Sequence, residues 1–363
     1  MKKIILIAAA AAMVLSSCSK NSISENYSDA NQVGFSSYSG RATKANGSFV
    51  TSGNLPDNSY FGVYCYKTGN ASFDATSNTA NFMANVDVKY DGTSYTYSPL
   101  RYWPSDGANN LLSFFAYYPY TNVASPAPTA GITSQPTSST TGLGTFGFTV
   151  PSEAKDQIDF MISDVVKDQQ FTSNTTKNGQ VDLKFHHMLT QVNFKAKATD
   201  EYTGTTIIIE SVNLTNINST GTLTVDPTAT ASEWAQADPS TGTTFVVPLS
   251  TTASNYTFGP DAANYTTVKD FTTNNETTNS ATFLMMPQKI ADNAQLIVKY
   301  TYKTDGMAAP IENTKTVLLK NAVAAWDKNQ SITYTISIGL NAITFTAEVA
   351  DWIPLTSQPE ISL

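Results

Sequence analysis

The chemistry that this sequence could perform begins at a cysteine near its N-terminus. Cys18 follows Leu15, and only Ser16 and Ser17 stand between them. A leucine three places before a cysteine, with two small residues in between, matches the bacterial lipobox, where the cysteine sulfur is diacylated and the cysteine becomes the new N-terminus. The sequence therefore predicts a lipid anchor at Cys18, with acyl chains and not a helix holding the protein to a membrane.

The residues before Cys18 fit the same interpretation. Lys2 and Lys3 precede the apolar run 4–15, and a run of about 12 apolar residues is too short to span a bilayer. We therefore predict a lipoprotein signal peptide at 1–17, followed by a lipidated N-terminal segment at 18–47. The alternative is an ordinary signal peptide in which the cysteine is incidental.

The second cysteine has no features of a reactive thiol. Cys65 shares one face of a predicted strand with Phe61 and Val63. No histidine or basic residue lies nearby in sequence to lower its pKa. We expect a buried structural thiol, and if Cys18 carries lipid, no internal disulfide can form.

Histidine and carboxylate patterns do not predict an active site. His186 and His187 are adjacent, and neighbouring side chains on a strand point to opposite faces, so they are not expected to bind one metal together. Asp156 and Asp159 could pair across a glycosidic bond, but scattered carboxylates are usually solvated or capping groups. The sequence has no G-x-S-x-G, H-E-x-x-H, phosphate-loop or EF-hand pattern. We therefore expect no enzyme activity, no catalytic residue, no metal and no cofactor.

The tryptophans leave a second function open. A row of exposed indole rings could stack on sugars, which is the basis for the alternative of a surface glycan-binding lipoprotein. The opposing interpretation is core packing, which is favoured for two of the four because they lie in apolar strand patterns. The four are Trp103, Trp234, Trp326 and Trp352, of which the first and last have that strand context.

Arginine is rare in this chain. It occurs only at Arg41 and Arg101, while the chain contains 21 lysines and arginines together. Arg101 begins an aromatic-rich strand pattern, where a protease would not easily fit the backbone into its cleft. Arg41, which precedes Ala42, lies in a stretch of small and polar residues, the kind of segment that proteases cleave readily.

The elements that would position these residues are strands. The chain has 363 residues, 14% of them charged and 11% aromatic, so it is too apolar to be disordered and long enough for two domains. Its net charge of -8 makes nucleic acid an unfavourable partner. Short alternating strands divided by turn residues are typical of sandwiches or barrels. The clearest strand faces are Leu296, Val298, Tyr300 and Tyr302, then Ile332, Tyr334, Ile336 and Ile338, and the two-sided run Leu111 to Tyr118.

Two further strands lie near the ends of the chain. Val33 and Phe35 alternate with smaller residues, so 31–38 can form a strand that occupies a place in the first sandwich. The C-terminal strand, in 341–363, has an apolar face that a neighbouring molecule could use. That face consists of Ile343, Phe345, Ala347 and Val349.

A change of parity gives the domain boundary. Val181 and Phe185 place apolar residues at odd positions, whereas Val192 and Phe194 place them at even positions. A slip of one residue moves every side chain to the other face, so the chain must bulge, turn or change sheets near His186 and His187. We therefore predict one sandwich over 48–180 and a second over 181–363.

Several motifs in order resemble those of the fimbrillin family, the subunits of Bacteroides-type pili. They are Tyr95–Pro104, Leu112–Pro119, Gln157–Met161, Leu183–Val192, Met286–Gln288 and the ending Ile343–Trp352. The resemblance implies two tandem transthyretin-like, Greek-key β-sandwiches, export as an outer-membrane lipoprotein, and adhesive pili at the cell surface. It implies that an arginine-specific protease cuts between Arg41 and Ala42, removes the strand of Val33 and Phe35, and allows donor-strand exchange with other pilin subunits.

Overall fold

A computed structural model of the chain describes residues 31–38, 43–45, 48–50, 55–105, 109–122, 131–171, 179–199, 204–236, 242–249, 252–271, 281–339 and 343–352. The predicted signal peptide, Cys18, Arg41 and Ala42 lie outside these residues. Within them, no helix has both the length and the apolar character that crossing a membrane requires.

The described part of the chain is all-β, as predicted, with one short α-helix. The first strands are β1 (Gly34–Tyr38), β2 (Thr43–Ala45), β3 (Ser48–Val50), β4 (Ser59–Lys67), β5 (Met83–Tyr90), β6 (Tyr95–Thr96), β7 (Leu112–Tyr118), β8 (Ile132–Ser134), β9 (Thr145–Thr149), β10 (Met161–Ser163), β11 (Val166–Gln169) and β12 (Gln180–His187). The later strands are β13 (Thr190–Ala198), β14 (Thr205–Ile217), β15 (Thr220–Thr224), β16 (Glu233–Ala235), β17 (Thr243–Val246), β18 (Thr257–Phe258), β19 (Lys269–Asp270), β20 (Phe283–Met285), β21 (Gln288–Lys289), β22 (Gln295–Thr304), β23 (Ile311–Leu318), β24 (Ala325–Trp326), β25 (Gln330–Ile338) and β26 (Ile343–Asp351). The helix α1 is Ala262–Thr266, and short 3-10 helices lie at Ala154–Asp156, Ala229–Ala231, Ala253–Tyr256 and Leu319–Asn321.

The N-terminal part is built on one large sheet. Its strand order is β1-β12-β10-β7-β4-β5-β6, and β11 also pairs with β7. The central strand β7 is buried at every residue, as its two-sided apolar run predicted. Phe114 and Ala116 join one hydrophobic core, while Phe115 and Tyr117 join another. This sheet is therefore covered on both faces, because β7 sends alternate side chains into two cores.

The chain changes sheet where the parity of its apolar residues changes. The odd-numbered side chains Val181 and Phe185 of β12 belong to the core that contains Phe114, whereas Val192 and Phe194 of β13 belong to the other. The strand β12 pairs with β1 and β10, so it belongs to the first sheet. The change of sheet therefore follows His187, several residues after the boundary that we placed between residues 180 and 181.

The C-terminal part contains two five-stranded sheets. One has the order β19-β13-β25-β26 with β20 beside β13, and the other has the order β17-β14-β22-β23 with β18 beside β14. The predicted strand faces are buried there, since Leu296, Val298 and Ile336 are each 0% exposed. Side chains of both sheets pack into a common core, as expected for two facing β-sheets.

A four-stranded sheet connects the two predicted domains. Its order is β16-β15-β9-β8, so it pairs strands from before residue 180 with strands from after it. Strand β8 lies within 125–145, a range rich in Pro, Ser, Thr and Gly whose composition is typical of an exposed loop, yet Ile132 on β8 is only 1% exposed. The two halves thus share backbone hydrogen bonds and a core. The transthyretin-like, Greek-key topology of each half stays a prediction.

Candidate functional site

The N-terminal strand β1 completes the first hydrophobic core. Phe35 on β1 is 2% exposed, and Val33, which directly precedes β1, is 0% exposed. Strand β1 pairs in parallel with β12, with Phe35 opposite Val181. A strand that contributes two buried side chains and a full row of backbone hydrogen bonds is an integral part of this core.

Phe35 is the main contact between β1 and the core. Its ring meets Phe61, Tyr97 and Phe114 edge to face, at centroid distances of 6.2, 5.5 and 6.1 Å. Such aromatic pairs contribute about 0.5–1.5 kcal/mol each beyond the area that they bury. Loss of β1 would leave these three aromatic rings without their common partner.

The opposite edge of the N-terminal segment contacts residues 101–103. The Val33 amide donates to the Arg101 carbonyl, and the Trp103 amide donates to the Asn31 carbonyl, both at 2.9 Å. The Tyr97 hydroxyl also donates to the Val33 carbonyl at 2.8 Å. The N-terminal segment thus lies between β12 on one side and residues 101–103 on the other, and we call this position the strand slot.

A glycine and a tryptophan close one end of the strand slot. Gly179 has a φ of +82°, and a Cβ atom there would lie 2.9 Å from the Gln32 carbonyl oxygen. Its own carbonyl accepts hydrogen bonds from the Gly34 amide at 2.9 Å and from the Trp103 indole at 3.0 Å. The local backbone therefore requires glycine, because the N-terminal segment passes too close for a side chain.

The position of the predicted cleavage site is known only from the strands that precede and follow it in the chain. Arg41 and Ala42 lie outside the described residues, between the end of β1 at Tyr38 and the start of β2 at Thr43. Arg101, by contrast, lies in the segment 101–103 that borders the strand slot. Its carbonyl accepts a hydrogen bond from the Val33 amide, and its amide donates to the Tyr97 hydroxyl at 3.2 Å. Its backbone is therefore poorly suited to enter a protease cleft.

The C-terminal strand β26 lies at the edge of its sheet. It pairs with β25 along its whole length, from Ile338 opposite Ile343 to Gln330 opposite Asp351. Its apolar face is buried unevenly, because Ile343 is 9% exposed and Val349 is 45% exposed, with Ala347 in between. Phe345 pairs with Ile336 through the backbone. The strand is therefore an edge strand with part of its apolar face open to solvent.

A buried cluster holds the end of β26. The Trp352 indole stacks on the His187 imidazole at a centroid distance of 4.2 Å with 13° between the rings. His187 Nδ1 lies 2.6 Å from Asp159 Oδ2, and all three residues are buried. The Trp352 amide donates to the Asn329 carbonyl at 2.9 Å. This cluster joins the last described residue to the first sheet.

The two histidines have separate partners, consistent with structural roles. His186 Nε2 lies 2.9 Å from Asp164 Oδ2, whereas His187 pairs with Asp159. Asp156 forms a surface ion pair with Lys155 at 2.8 Å. Among the residues described, no group of three or more His, Cys, Asp or Glu side chains could hold a metal. Asp156 and Asp159 thus bind different partners.

Two further predictions concerned Cys65 and the tryptophans. Cys65 is fully buried, and burial raises the pKa of its thiol well above the usual range, as expected of a structural thiol. Trp103, Trp326 and Trp352 are 2%, 1% and 5% exposed, so the four tryptophans do not form an exposed row. Trp234 alone among them is partly exposed.

Sequence reasoning missed both the residues that border the strand slot and the buried cluster of Trp352, His187 and Asp159. Tyr97, Arg101 and Gly179 contact β1 although more than 60 residues separate each from Val33 or Phe35 in the chain. Gly179 follows a polar stretch in the sequence, a pattern that indicates a turn, and its φ in the structure is positive. No local pattern connects Trp352 with His187, because their contact joins two different sheets.

Comparison with known proteins places the chain among fimbrial proteins. A family model described as fimbrillin-like matches residues 41–352. The fimbrium subunit Fim1C of Phocaeicola vulgatus is 28% identical to this chain and the alignment covers 94% of each protein. A crystal structure of a fimbrial protein from Bacteroides vulgatus has a similar fold, with a TM-score of 0.64, 23% identity, and coverage of 89% of this chain and 99% of that one.

Proposed function

This chain belongs to the fimbrillin-like family, and from that premise we propose that it is a structural pilus subunit that polymerises by donor-strand exchange. In this proposal the subunit functions as part of an adhesive fimbrium at the cell surface. The observation that carries the proposal is β1, a strand at the N-terminus that completes a core and precedes a predicted protease site.

The first step is export as an outer-membrane lipoprotein. The signal at 1–17 and the lipobox cysteine Cys18 support this step. The acyl chains would keep the precursor at the outer membrane until an arginine-specific protease cuts after Arg41.

The second step is loss of β1 from the strand slot. Cleavage between Arg41 and Ala42 would separate β1 from the rest of the chain. Departure of β1 would expose Phe61, Tyr97 and Phe114 together with the backbone edge of β12. An apolar groove with an unpaired strand edge is an unfavourable state, and it favours capture of a replacement strand.

The third step is donation of the C-terminal strand by a neighbour. The alternating face of Ile343, Phe345, Ala347 and Val349 has the same period as Val33 and Phe35. Because β26 is an edge strand with an open apolar position at Val349, it can leave its sheet at a lower cost than a central strand. Head-to-tail repetition of this contact, which does not close on itself, gives a filament.

Cleavage at Arg41 is testable with two matched variants. Treatment with an arginine-specific protease should convert the wild-type protein from monomer to polymer, as measured by size-exclusion chromatography. The variant Arg41→Ala should stay intact and monomeric. The control Arg101→Lys removes the other arginine and should polymerise like wild type, because Arg101 bonds to the slot residues through its backbone N–H and carbonyl, which lysine retains.

Two results would contradict the cleavage step. One is polymerisation of Arg41→Ala at the wild-type rate without cleavage. The other is that the wild-type protein polymerises after cleavage at a site other than Arg41. Mass spectrometry of the released N-terminal fragment would identify that site.

A further inference from the structure

A cleft lies outside the strand slot and involves neither β1 nor β26. It is bounded by β16 on one side and by the paired strands β21 and β24 on the other. Its volume is about 690 Å³, within the range of sites that hold small organic ligands. The lining combines one partly exposed indole with charged and amide side chains.

The indole of Trp234 is held in a fixed position. Its N–H donates to the Met188 carbonyl at 2.7 Å. Its ring packs against Phe148 and Phe160 at centroid distances of 6.2 and 6.0 Å. Because the ring is fixed before a ligand arrives, little conformational entropy is lost when a ligand covers its remaining surface.

The polar groups of the cleft are balanced in charge. Two carboxylates and two ammonium groups line it, from Glu233, Asp327, Lys289 and Lys328. Lys328 Nζ donates to the Ser232 carbonyl at 2.6 Å, whereas Glu233, Lys289 and Asp327 have exposed side chains. Equal numbers of opposite charges give no net attraction for a strongly charged ligand, but they offer both donors and acceptors to hydroxyl groups.

We propose that this cleft binds an uncharged oligosaccharide. A sugar ring has an apolar C–H face that can cover the exposed part of Trp234, and hydroxyl groups that can donate to Glu233 and Asp327 and accept from Lys289. A peptide strand would instead need side-chain pockets at alternate positions along a strand edge, whereas the lining here presents one partly exposed indole among charged and amide groups. The inference does not depend on strand exchange, because the cleft is present in the uncleaved subunit.

The test uses the uncleaved protein and a defined panel of sugars. The panel contains maltotriose, cellotriose, chitotriose and lacto-N-tetraose, with the pair lactose and 3′-sialyllactose to measure the effect of a negative charge. Saturation-transfer NMR should detect at least one neutral sugar at about 5 mM, a concentration suited to weak binding. The same sugar should reduce acrylamide quenching of tryptophan fluorescence, since Trp234 is the partly exposed tryptophan.

Variants then assign the binding to the cleft. The double variant Glu233→Gln with Asp327→Asn should weaken binding by about tenfold or more, because each loses a charge-assisted hydrogen bond. The control Asp305→Asn with Glu312→Gln changes exposed carboxylates elsewhere and should bind like wild type. Circular dichroism verifies that both remain folded.

Three results would overturn the proposal. They are no binding by any neutral sugar of the panel, equal binding by the cleft variant and the control variant, and tighter binding of 3′-sialyllactose than of lactose. None of these results bears on polymerisation, so the cleft and the strand slot can fail independently.

Discussion

At the scale of single residues, Phe35 carries the attachment of β1. Its side chain is 2% exposed and contacts three aromatic rings of the first core. The neighbouring Ser36 instead bonds Asp182 at the surface. Two adjacent residues of β1 therefore differ in role, because Phe35 packs in the core and Ser36 bonds at the surface.

The variant Phe35→Ala should lower the free energy of unfolding of the uncleaved protein by about 3–5 kcal/mol, the range found for deletion of a buried phenylalanine ring. Ser36→Ala should change it by no more than about 1 kcal/mol, since exposed hydrogen bonds contribute little. Urea denaturation followed by fluorescence measures both values. An equal effect of the two substitutions would contradict the role of Phe35.

Individual residues were predictable from sequence where the signal was local. Val33, Phe35 and Cys65 are buried as their alternating patterns indicated. Gly179 and Tyr97 were not connected with β1, because their contacts span long stretches of chain. Long-range side-chain partners depend on the packing of sheets, which a single sequence does not specify.

At the scale of elements, β26 has a buried side chain at or next to each of its ends. Ile343 is buried at one end and Trp352 follows the other, while Thr344, Glu348 and Val349 are exposed. Backbone pairing with β25 and the partial packing of Ala347 against the core add to its attachment. The stacking of Trp352 on His187 therefore controls how readily the far end of β26 separates from its sheet.

The variant Trp352→Ala should speed amide hydrogen exchange across Ile343–Asp351 and lower the free energy of unfolding by about 3–5 kcal/mol, because it leaves a cavity beside His187. Glu348→Ala, on the same strand but exposed, is the matched control and should leave exchange nearly unchanged. If exchange in β26 were as slow in Trp352→Ala as in wild type, the strand would be held by other contacts.

The elements themselves were largely predictable, and their partners were not. The change of parity located the change of sheet near His187, because apolar residues alternate with the face that they cover. The pairing of β9 with β15 joins the two predicted domains, and no sequence pattern indicates it. Strand periodicity reports which face is buried but not which strand lies alongside.

At the scale of the whole molecule, the proposed polymer makes the strand slot and β26 complementary. The slot is filled by β1 in the uncleaved chain, and β26 presents an apolar side chain, Val349, that its own sheet leaves 45% exposed. Val349 is therefore tolerant of change in the monomer, yet it would be buried if β26 entered a neighbour's slot. The same residue thus distinguishes the monomer from the proposed polymer.

The most direct test of strand exchange compares Val349→Asp with Glu348→Gln after cleavage by an arginine-specific protease. Both monomers should fold and be cleaved like wild type, because both positions are exposed in the monomer. Size-exclusion chromatography and negative-stain microscopy should show filaments from Glu348→Gln. Val349→Asp should stay monomeric, with polymerisation slowed at least about a hundredfold, since a carboxylate buried without a partner costs several kcal/mol. Filaments formed by Val349→Asp at the wild-type rate would contradict the account, because they would show that the apolar face of β26 does not enter a neighbouring subunit.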